Sequence, residues 1–532
     1  MPSRSDEGYG LSKNIIKSLA QKNIKLIITV DNGVSAIEEI DYANEMGVDV
    51  VVTDHHLPKE TLPNAIAVVD PLRKDDNSGA KILSGVGVAY MAMCAIEQCS
   101  AEEMLEYYAD LVAIGTIADI MQLTGINRKI VQKGLQLLQN TERAGLAALF
   151  QKCGFTGKKI TGENISYAVS PRLNAAGRMD NAAVALNLLL EEDYDTAVEL
   201  AEKIESYNAL RQTTEQKIAE ELTAQIQSDP QLISSEVLVV WGKGYHAGVI
   251  GIVASRLVER FNKPSIVFTI DENGEAKGSG RSFEGFSLYN AINACSSLCL
   301  RFGGHDLAAG LTVMENDLLQ FRKNINSWAI ENYPVLLRRP LCADATVKIA
   351  DLTIEEVESL DLLAPFGQGN VSPVFMVENA LIDTIYPLSQ GKHSRLKLMQ
   401  GSSVLYAAIF GTAPEQLAYK SGDRVDVLVS LSVYEANSKM LSAKINAIRP
   451  AGINEEFVAL SEIYDSFNSG VNLDEKMKNV LCPAREDVVA VYKTIALGNI
   501  HTADLQPLFA QLGSDKTGKM LASVDILKEL GH

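Results

Sequence analysis

The chain has 532 residues, 47% hydrophobic and 22% charged, with a formal net charge of −19. That length exceeds one core of roughly 250 to 300 residues, so about three or four domains are expected, and the composition excludes a disordered or low-complexity protein. The acidic balance disfavours indiscriminate adhesion to nucleic acid or anionic membrane, which works by counterion release against Lys and Arg, but it leaves room for a local basic groove.

No stretch reaches about eighteen apolar residues, and the first residues lack a basic segment followed by an apolar one. Neither a membrane span nor a secretory leader is predicted, and a cytoplasmic location is expected. Seven cysteines are scattered without C-x-x-C spacing, an odd number that argues for reduced packing residues rather than disulfides or a thiolate zinc site.

Two short runs, Lys25-Leu-Ile-Ile-Thr-Val-Asp31-Asn-Gly33 and Val48-Asp-Val-Val-Val-Thr-Asp54-His55-His56, are rich in Val and Ile and end in acids. An amphipathic stretch at 36–47 separates them, so they are predicted as neighbouring parallel strands joined by a crossover helix. In such sheets ligands bind at the carboxyl ends of strands, which brings Asp31, Asp54, His55 and His56 to one crevice. A lone acid at a strand end is ordinarily a helix cap; two of them beside a histidine doublet point to a metal site. Mixed carboxylate and imidazole donors suit Mn²⁺, Zn²⁺ or Fe²⁺ better than Mg²⁺.

Further along, Ile66-Ala-Val-Val-Asp70-Pro71 is predicted as a third strand closed by an Asp-Pro turn, and Gly85-Val-Gly87 as close helix packing rather than cofactor binding. Asp110 and Asp119 interrupt an apolar helix from about residue 105, where a buried carboxylate requires a partner or a metal. Asp119 is the better ligand candidate, and Asp110 is read as a cap or as an acceptor for a ligating histidine. Residues 182–226 read as a long helix connecting two lobes, broken at Asp229-Pro230. The second lobe opens with Val237-Leu-Val-Val-Trp241 and a glycine-rich loop leading to His246 and a helix. The segments Lys277-Gly-Ser279-Gly-Arg281-Ser282 and Arg301-Phe-Gly303-Gly304-His305 are read as glycine-rich loops offering phosphate contacts. Beyond Pro340, short punctuated strands suggest a five-stranded oligonucleotide-binding barrel, with Pro365-Phe-Gly367-Gln-Gly369-Asn370 among its turns. A helical, acidic tail follows from about residue 453.

The motifs strand-Asp-Asn-Gly, Asp-His-His, Gly-Thr-Ile-Ala-Asp119, Asn174-Ala-Ala-Gly-Arg178, His246-x-Gly-Val-Ile-Gly-Ile-Val-Ala-Ser-Arg and Gly-Gly-His305 occur in the order found in the RecJ family of DHH phosphoesterases, which the chain resembles from its start to about residue 450. The implied fold class is α/β: a parallel-sheet DHH lobe (1–180), a connecting long helix (181–230), a second α/β lobe of DHHA1 type (231–335), a β-barrel of OB type (340–450) and a helical tail (453–532). The implied activity is 5′-to-3′ hydrolysis of single-stranded DNA in recombination and repair, dependent on Mn²⁺ or Mg²⁺ in a two-metal site. By motif, Asp31, His55, Asp54 and Asp119 correspond to metal positions, with Asp54 either ligating or orienting, and Asp54, His56 and Asp31 to the catalytic group. Arg178, His246, Ser279, Arg281 and His305 correspond to substrate-facing positions, with Ser279 and Arg281 on the 5′-terminal phosphate and Arg4 assisting. The barrel is implied to bind the trailing strand. A single-strand-binding protein or repair helicase is the implied protein partner, and no membrane is.

The family's first motif, an Asp-x-Asp pair, falls upstream of Met1 on this reading. The chain is therefore expected to be a truncated form of a longer gene product with an impaired metal site. Two alternatives stay open: a phosphodiesterase of short oligoribonucleotides or cyclic dinucleotides, and a non-catalytic single-strand-binding or scaffold fragment.

Overall fold

In a computed structural model the described residues are 10–333, 341–435, 438–452, 455–468, 471, 473–498, 508 and 512–530. Arg4 lies outside them. They form two units, one of residues 1–337 with 365–371 and one of 338–364 with 372–532.

The first unit begins with a parallel sheet of order β1 (Leu26–Val30), β2 (Asp49–Thr53), β3 (Ala67–Val69), registered from Leu26 opposite Asp49 to Val30 opposite Thr53. Helices α1 (Lys13–Gln21) and α2 (Ile37–Glu45) cover one face, and Val50 and Val52 are fully buried with Ile16, Ile40 and Ala43. Glu38 and Glu39 sit in the first turn of α2, where carboxylates complement the helix dipole. On the other face of the edge strand β1, Leu26, Ile28 and Val30 remain about half exposed. Helices α3 (Gly85–Glu97) and α4 (Ala101–Ala118) follow, α4 opened by a reciprocal Ser100–Glu103 capping box.

The connector predicted as one helix over 182–226 is two, Ala183–Leu190 and then Tyr194–Ser228. Local polar competition causes the break. Glu191 Oε1 accepts from the N–H groups of Glu192 and Asp193, and Asp193 Oδ1 caps the second helix by accepting from Thr196 N–H at 2.8 Å.

The second lobe carries a five-stranded sheet of order β4-β5-β6-β8-β7: β4 (Leu238–Lys243), β5 (Ser265–Ile270), β6 (Glu275–Arg281), β7 (Cys299–Gly304) and β8 (Ala308–Met314). Only the β4–β5 pairing is parallel. This corrects the two glycine-rich loops: Lys277 to Arg281 lies in the central strand β6, and Arg301 to Gly304 in the edge strand β7. Glycine is compatible with β6 because neighbours fill the space above it. A Cβ at Gly278 would lie 2.5 Å from Phe268 Cε1, and one at Gly280 2.7 Å from Leu288 Cδ2.

In the second unit, β10 (Phe375–Leu388), β11 (His393–Gln400), β12 (Ser403–Ile409), β13 (Arg424–Glu435) and β14 (Lys439–Pro450) form a barrel closed by pairing β10 with both β11 and β13. The short β9 (Ala345–Thr346) joins β10 in parallel. Val425, Val427 and Val429 alternate into a core with Val377, Ile382, Leu396 and Leu398. Tail helices including Arg485–Gly498 and Thr517–Glu529 share a small cluster of Val491, Met520, Val524 and Leu527. Residues 365–371, read from sequence as barrel turns, group instead with the first unit. All seven cysteines are free thiols, and no helix among the described residues is long and apolar enough to cross a membrane.

Candidate metal centre and phosphate pocket

Asp31, Asp54 and Asp70 directly follow β1, β2 and β3, so the parallel register sets three carboxylates along one rim. Asp31 adopts a left-handed backbone (φ +64°) and its N–H donates to Thr53 O at 3.0 Å, turning the chain sharply off the strand. Gly85, at the start of α3, packs on the Asp31 carboxylate so closely that a Cβ there would collide with it. The close packing read from Gly85-Val-Gly87 is thus packing against a site residue.

Asp54 is buried and saturated with donors. Its Oδ1 accepts from His55 N–H at 2.8 Å and His56 N–H at 3.2 Å and lies 2.7 Å from His56 Nδ1, while Oδ2 accepts from Val34 N–H at 3.0 Å. Burial acts to raise its pKa, but these hydrogen bonds outweigh it and hold the carboxyl below the usual range. Asp54 therefore organises the histidine turn. The same bond is the main cause of a raised His56 pKa.

His55 Nε2 lies 3.0 Å from Asp31 Oδ1 and 3.4 Å from Asp119 Oδ2. Burial opposes protonation of His55, but the hydrogen bond with Asp31 and the charges of Asp119 and Asp31 prevail and raise its pKa. Asp119 caps the C-terminus of α4; its pKa is raised by burial first, with Asp31 adding to the effect and His55 opposing it. Ligand atoms of Asp31, His55 and His56 fall within 4.8 Å of one another.

Asp110 is elsewhere. Its Oδ2 accepts from Arg143 Nε at 2.7 Å, and Arg143 also donates to Tyr107 O. Its partner is this guanidinium and not a histidine, because Asp110 lies nine residues before Asp119 on α4 and the helix carries it away from the rim. Asp70 is the residue sequence reasoning passed over. Its Oδ1 accepts from Leu72 N–H at 2.7 Å, and its buried Oδ2 has no hydrogen-bond partner among the described residues. Burial raises its pKa, and the Asp54 charge adds to this. Its position as the third successive acid at a strand end was the available signal.

In the second lobe, Arg281 Nη1 donates to Ser279 Oγ at 3.1 Å and to Gly280 O at 2.7 Å. Arg281 has no carboxylate partner among the described residues, and burial pushes its pKa down. The helix Ala247–Phe261 approaches this pair at Gly251, where a Cβ would be 2.9 Å from Ser279 Oγ and 3.0 Å from Arg281 Nη2. His246 caps that helix, its Nδ1 accepting from Gly248 N–H at 3.2 Å, and Arg178 Nη1 donates to Gly248 O at 3.0 Å. Ser279, Arg281, Arg178 and the start of this helix thus belong to one neighbourhood. Ser279 pairs with Gly310, which pairs with Gly303, and beyond both glycines the space where a Cβ would sit is open. His305 sits in the β7–β8 turn with its ring exposed and without a hydrogen bond among the described residues.

Three family descriptions match the chain: the DHH family, N-terminal domain, over residues 2–116, the DHHA1 domain over 231–331 and the RecJ OB domain over 343–445. The single-stranded-DNA-specific exonuclease RecJ of Bacillus subtilis (strain 168) is 36% identical over 442 residues, which are 82% of this chain and 56% of that protein. The RecJ of Escherichia coli (strain K12) is 34% identical over 395 residues, 70% of this chain and 68% of that one. The crystal structure of RecJ from Thermus thermophilus in complex with Mn²⁺ superimposes with a TM-score of 0.69 at 28% identity, covering 86% of this chain and 68% of that one; its complex with Mg²⁺ gives 0.64. With all three domain types in order and 34–36% identity to these relatives over 395 to 442 aligned residues, the chain belongs to the RecJ family of single-stranded-DNA-specific exonucleases.

Proposed function

We propose that this chain is a divalent-metal-dependent exonuclease that hydrolyses single-stranded DNA from its 5′ end, with Asp31, His55, His56 and Asp119 as metal donors. The observation that carries this reading is the convergence of Asp31 and Asp119 on His55 Nε2, at 3.0 and 3.4 Å. The Asp31 carboxylate and the two imidazoles within 4.8 Å of one another, with Asp119 Oδ2 3.4 Å from His55 Nε2, fit Mn²⁺, and the oxygen donors also suit Mg²⁺. A bound ion supplies Lewis acidity toward the phosphodiester and the attacking water.

The protein's own groups prepare that chemistry. With Nδ1–H of His56 directed at Asp54 Oδ1, its Nε2 keeps a lone pair for an ion. His55 Nε2 faces both Asp31 and Asp119, whose charges favour its protonated form, and a cation held by these donors would compete with that proton. Asp54 acts by fixing both histidines rather than by ligation. A partly buried Arg281 without a carboxylate partner among the described residues, seated with Ser279 beside a helix N-terminus, suits a terminal phosphate. The open floor at Gly310 and Gly303 gives a sugar–phosphate backbone room beside it. On the barrel, Tyr386 pairs with Arg395, whose guanidinium stands 4.6 Å over the Tyr406 ring, a surface on which bases of the trailing strand can stack. Action in recombination and repair in the cytoplasm, with a single-strand-binding protein or repair helicase as partner, completes the reading.

The test is incubation of the chain with a 5′-labelled single strand and Mn²⁺. Mononucleotide release that EDTA stops and Asp54→Ala abolishes is the expected result. Strand binding that is indifferent to EDTA, with no release, would instead make the chain a binding module.

A further inference from the structure

The segment Pro365–Val371 is anomalous: residues on both sides of it group with the barrel unit, whereas it groups with the nuclease lobe. It is internally tight. Gly367 N–H donates to Asn370 O at 2.9 Å and Asn370 N–H to Gly367 O at 3.1 Å, closing a turn whose Gly369 has φ +73°. Asn370 Nδ2 braces this turn by donating to Pro365 O at 2.8 Å.

The turn lies against the loop that follows Asp119. Leu123 N–H donates to Gln368 O at 2.7 Å. Both glycines permit this approach: a Cβ at Gly367 would be 2.7 Å from Leu123 Cδ1, and one at Gly369 3.3 Å from Gln122 Cβ. Gly162 receives Phe366 in the same way, since a Cβ there would be 3.2 Å from Phe366 O. Between Asp119 and Leu123 the chain leaves α4 through Ile120, in a left-handed conformation (φ +56°), and Met121, whose N–H reaches back to Thr116 O. Gln122 O is held by Asn127 Nδ2 at 3.1 Å. Asp119 is therefore fixed from one side by its helix and from the other by a loop anchored on Gln368.

We infer that Pro365–Val371 is a positioning strap that sets the Asp119 carboxylate against His55 and so tunes divalent-cation affinity from a segment covalently continuous with the barrel unit. The inference rests on Asp119 being a metal donor. A strap serving stability alone would change melting without changing cation affinity in the folded protein; a positioning strap changes affinity and does so only through Asp119.

Mn²⁺ binding to the full chain, followed by calorimetry and by loss of the free Mn²⁺ electron-spin signal, separates these cases. Gly369→Val strains the left-handed turn and crowds Gln122, and Asn370→Ala removes the brace. Each is expected to raise the Mn²⁺ dissociation constant by about five- to tenfold, while metal-free binding of a single strand is unchanged. Gly369→Asn, which accepts the left-handed backbone, retains most of the affinity. In an Asp119→Asn background the strap substitutions produce no further weakening. Affinity unchanged in both strap variants, or losses that add to that of Asp119→Asn, would overturn the strap alone. Absence of Mn²⁺ binding by the unmodified chain, or indifference to Asp119→Asn, would overturn the metal centre and the strap with it.

Discussion

In the first lobe the charged groups stand at the ends of adjacent parallel strands, whereas in the second Ser279 lies inside a central strand and Arg281 closes it, walled in by glycine. The first arrangement concentrates negative charge and mixes it with imidazole; the second holds a partly buried cation with no carboxylate partner among the described residues. Strand termini can collect side chains from several elements at one crevice. A strand interior cannot; there the absent side chains at Gly303 and Gly310 leave open space, and the one absent at Gly251 lets the helix close on Ser279 and Arg281. One region sets carboxylates and imidazoles side by side, and the other sets a guanidinium beside two glycines with open space above them.

The sharpest way to break this contrast is to remove a rim donor. Asp31→Ala or His55→Ala is expected to weaken Mn²⁺ binding by about 100-fold or more, measured by calorimetry. Asp110→Asn should leave that affinity unchanged and cost about 1 to 2 kcal/mol in urea denaturation, since it cuts only the half-screened pair with Arg143. In the second lobe, Arg281→Ala removes charge-assisted bonds of about 2 kcal/mol, so preference for 5′-phosphorylated over 5′-hydroxyl single strands should fall roughly 30-fold in competition binding, with Mn²⁺ affinity intact. A matching loss of Mn²⁺ affinity would erase the division between the two regions. Tyr406→Ala on the barrel should weaken a longer single strand by about tenfold, through one lost stacking contact read by anisotropy, without affecting the 5′-phosphate preference.

The smallest effect is on pH. In the metal-free chain His55 and His56 have raised pKa values, so their contribution to stability is complete below about pH 6.5 and is lost as pH rises through the raised values. Urea midpoints in EDTA should therefore be lower at about pH 9 than at about pH 6. With saturating Mn²⁺ the order should reverse, because proton and cation compete for the same imidazoles.

Sequence was informative where local pattern and long-range packing agree. The runs ending at Asp31 and Asp54 are short, β-branched and joined by an amphipathic stretch, and the alternating Val425, Val427 and Val429 announce a barrel core. It misled at β6, because glycine signals a turn unless one knows that Phe268 and Leu288 occupy the space over Gly278 and Gly280. Asp110 and Asp119 share one apolar helix and differ only in partners from other segments, Arg143 in one case and His55 in the other. The docking of Gln368 on Leu123 joins segments so far apart in the chain that no local rule reaches it.

The left-handed backbone of Asp31 has a genetic consequence. Asparagine tolerates that conformation about as readily as aspartate and has nearly the same shape, so it can take the place beside Gly85 without disturbing the turn. One base change in an Asp codon yields Asn. The exchange that removes the negative charge from this corner is thus the one that disturbs the fold least.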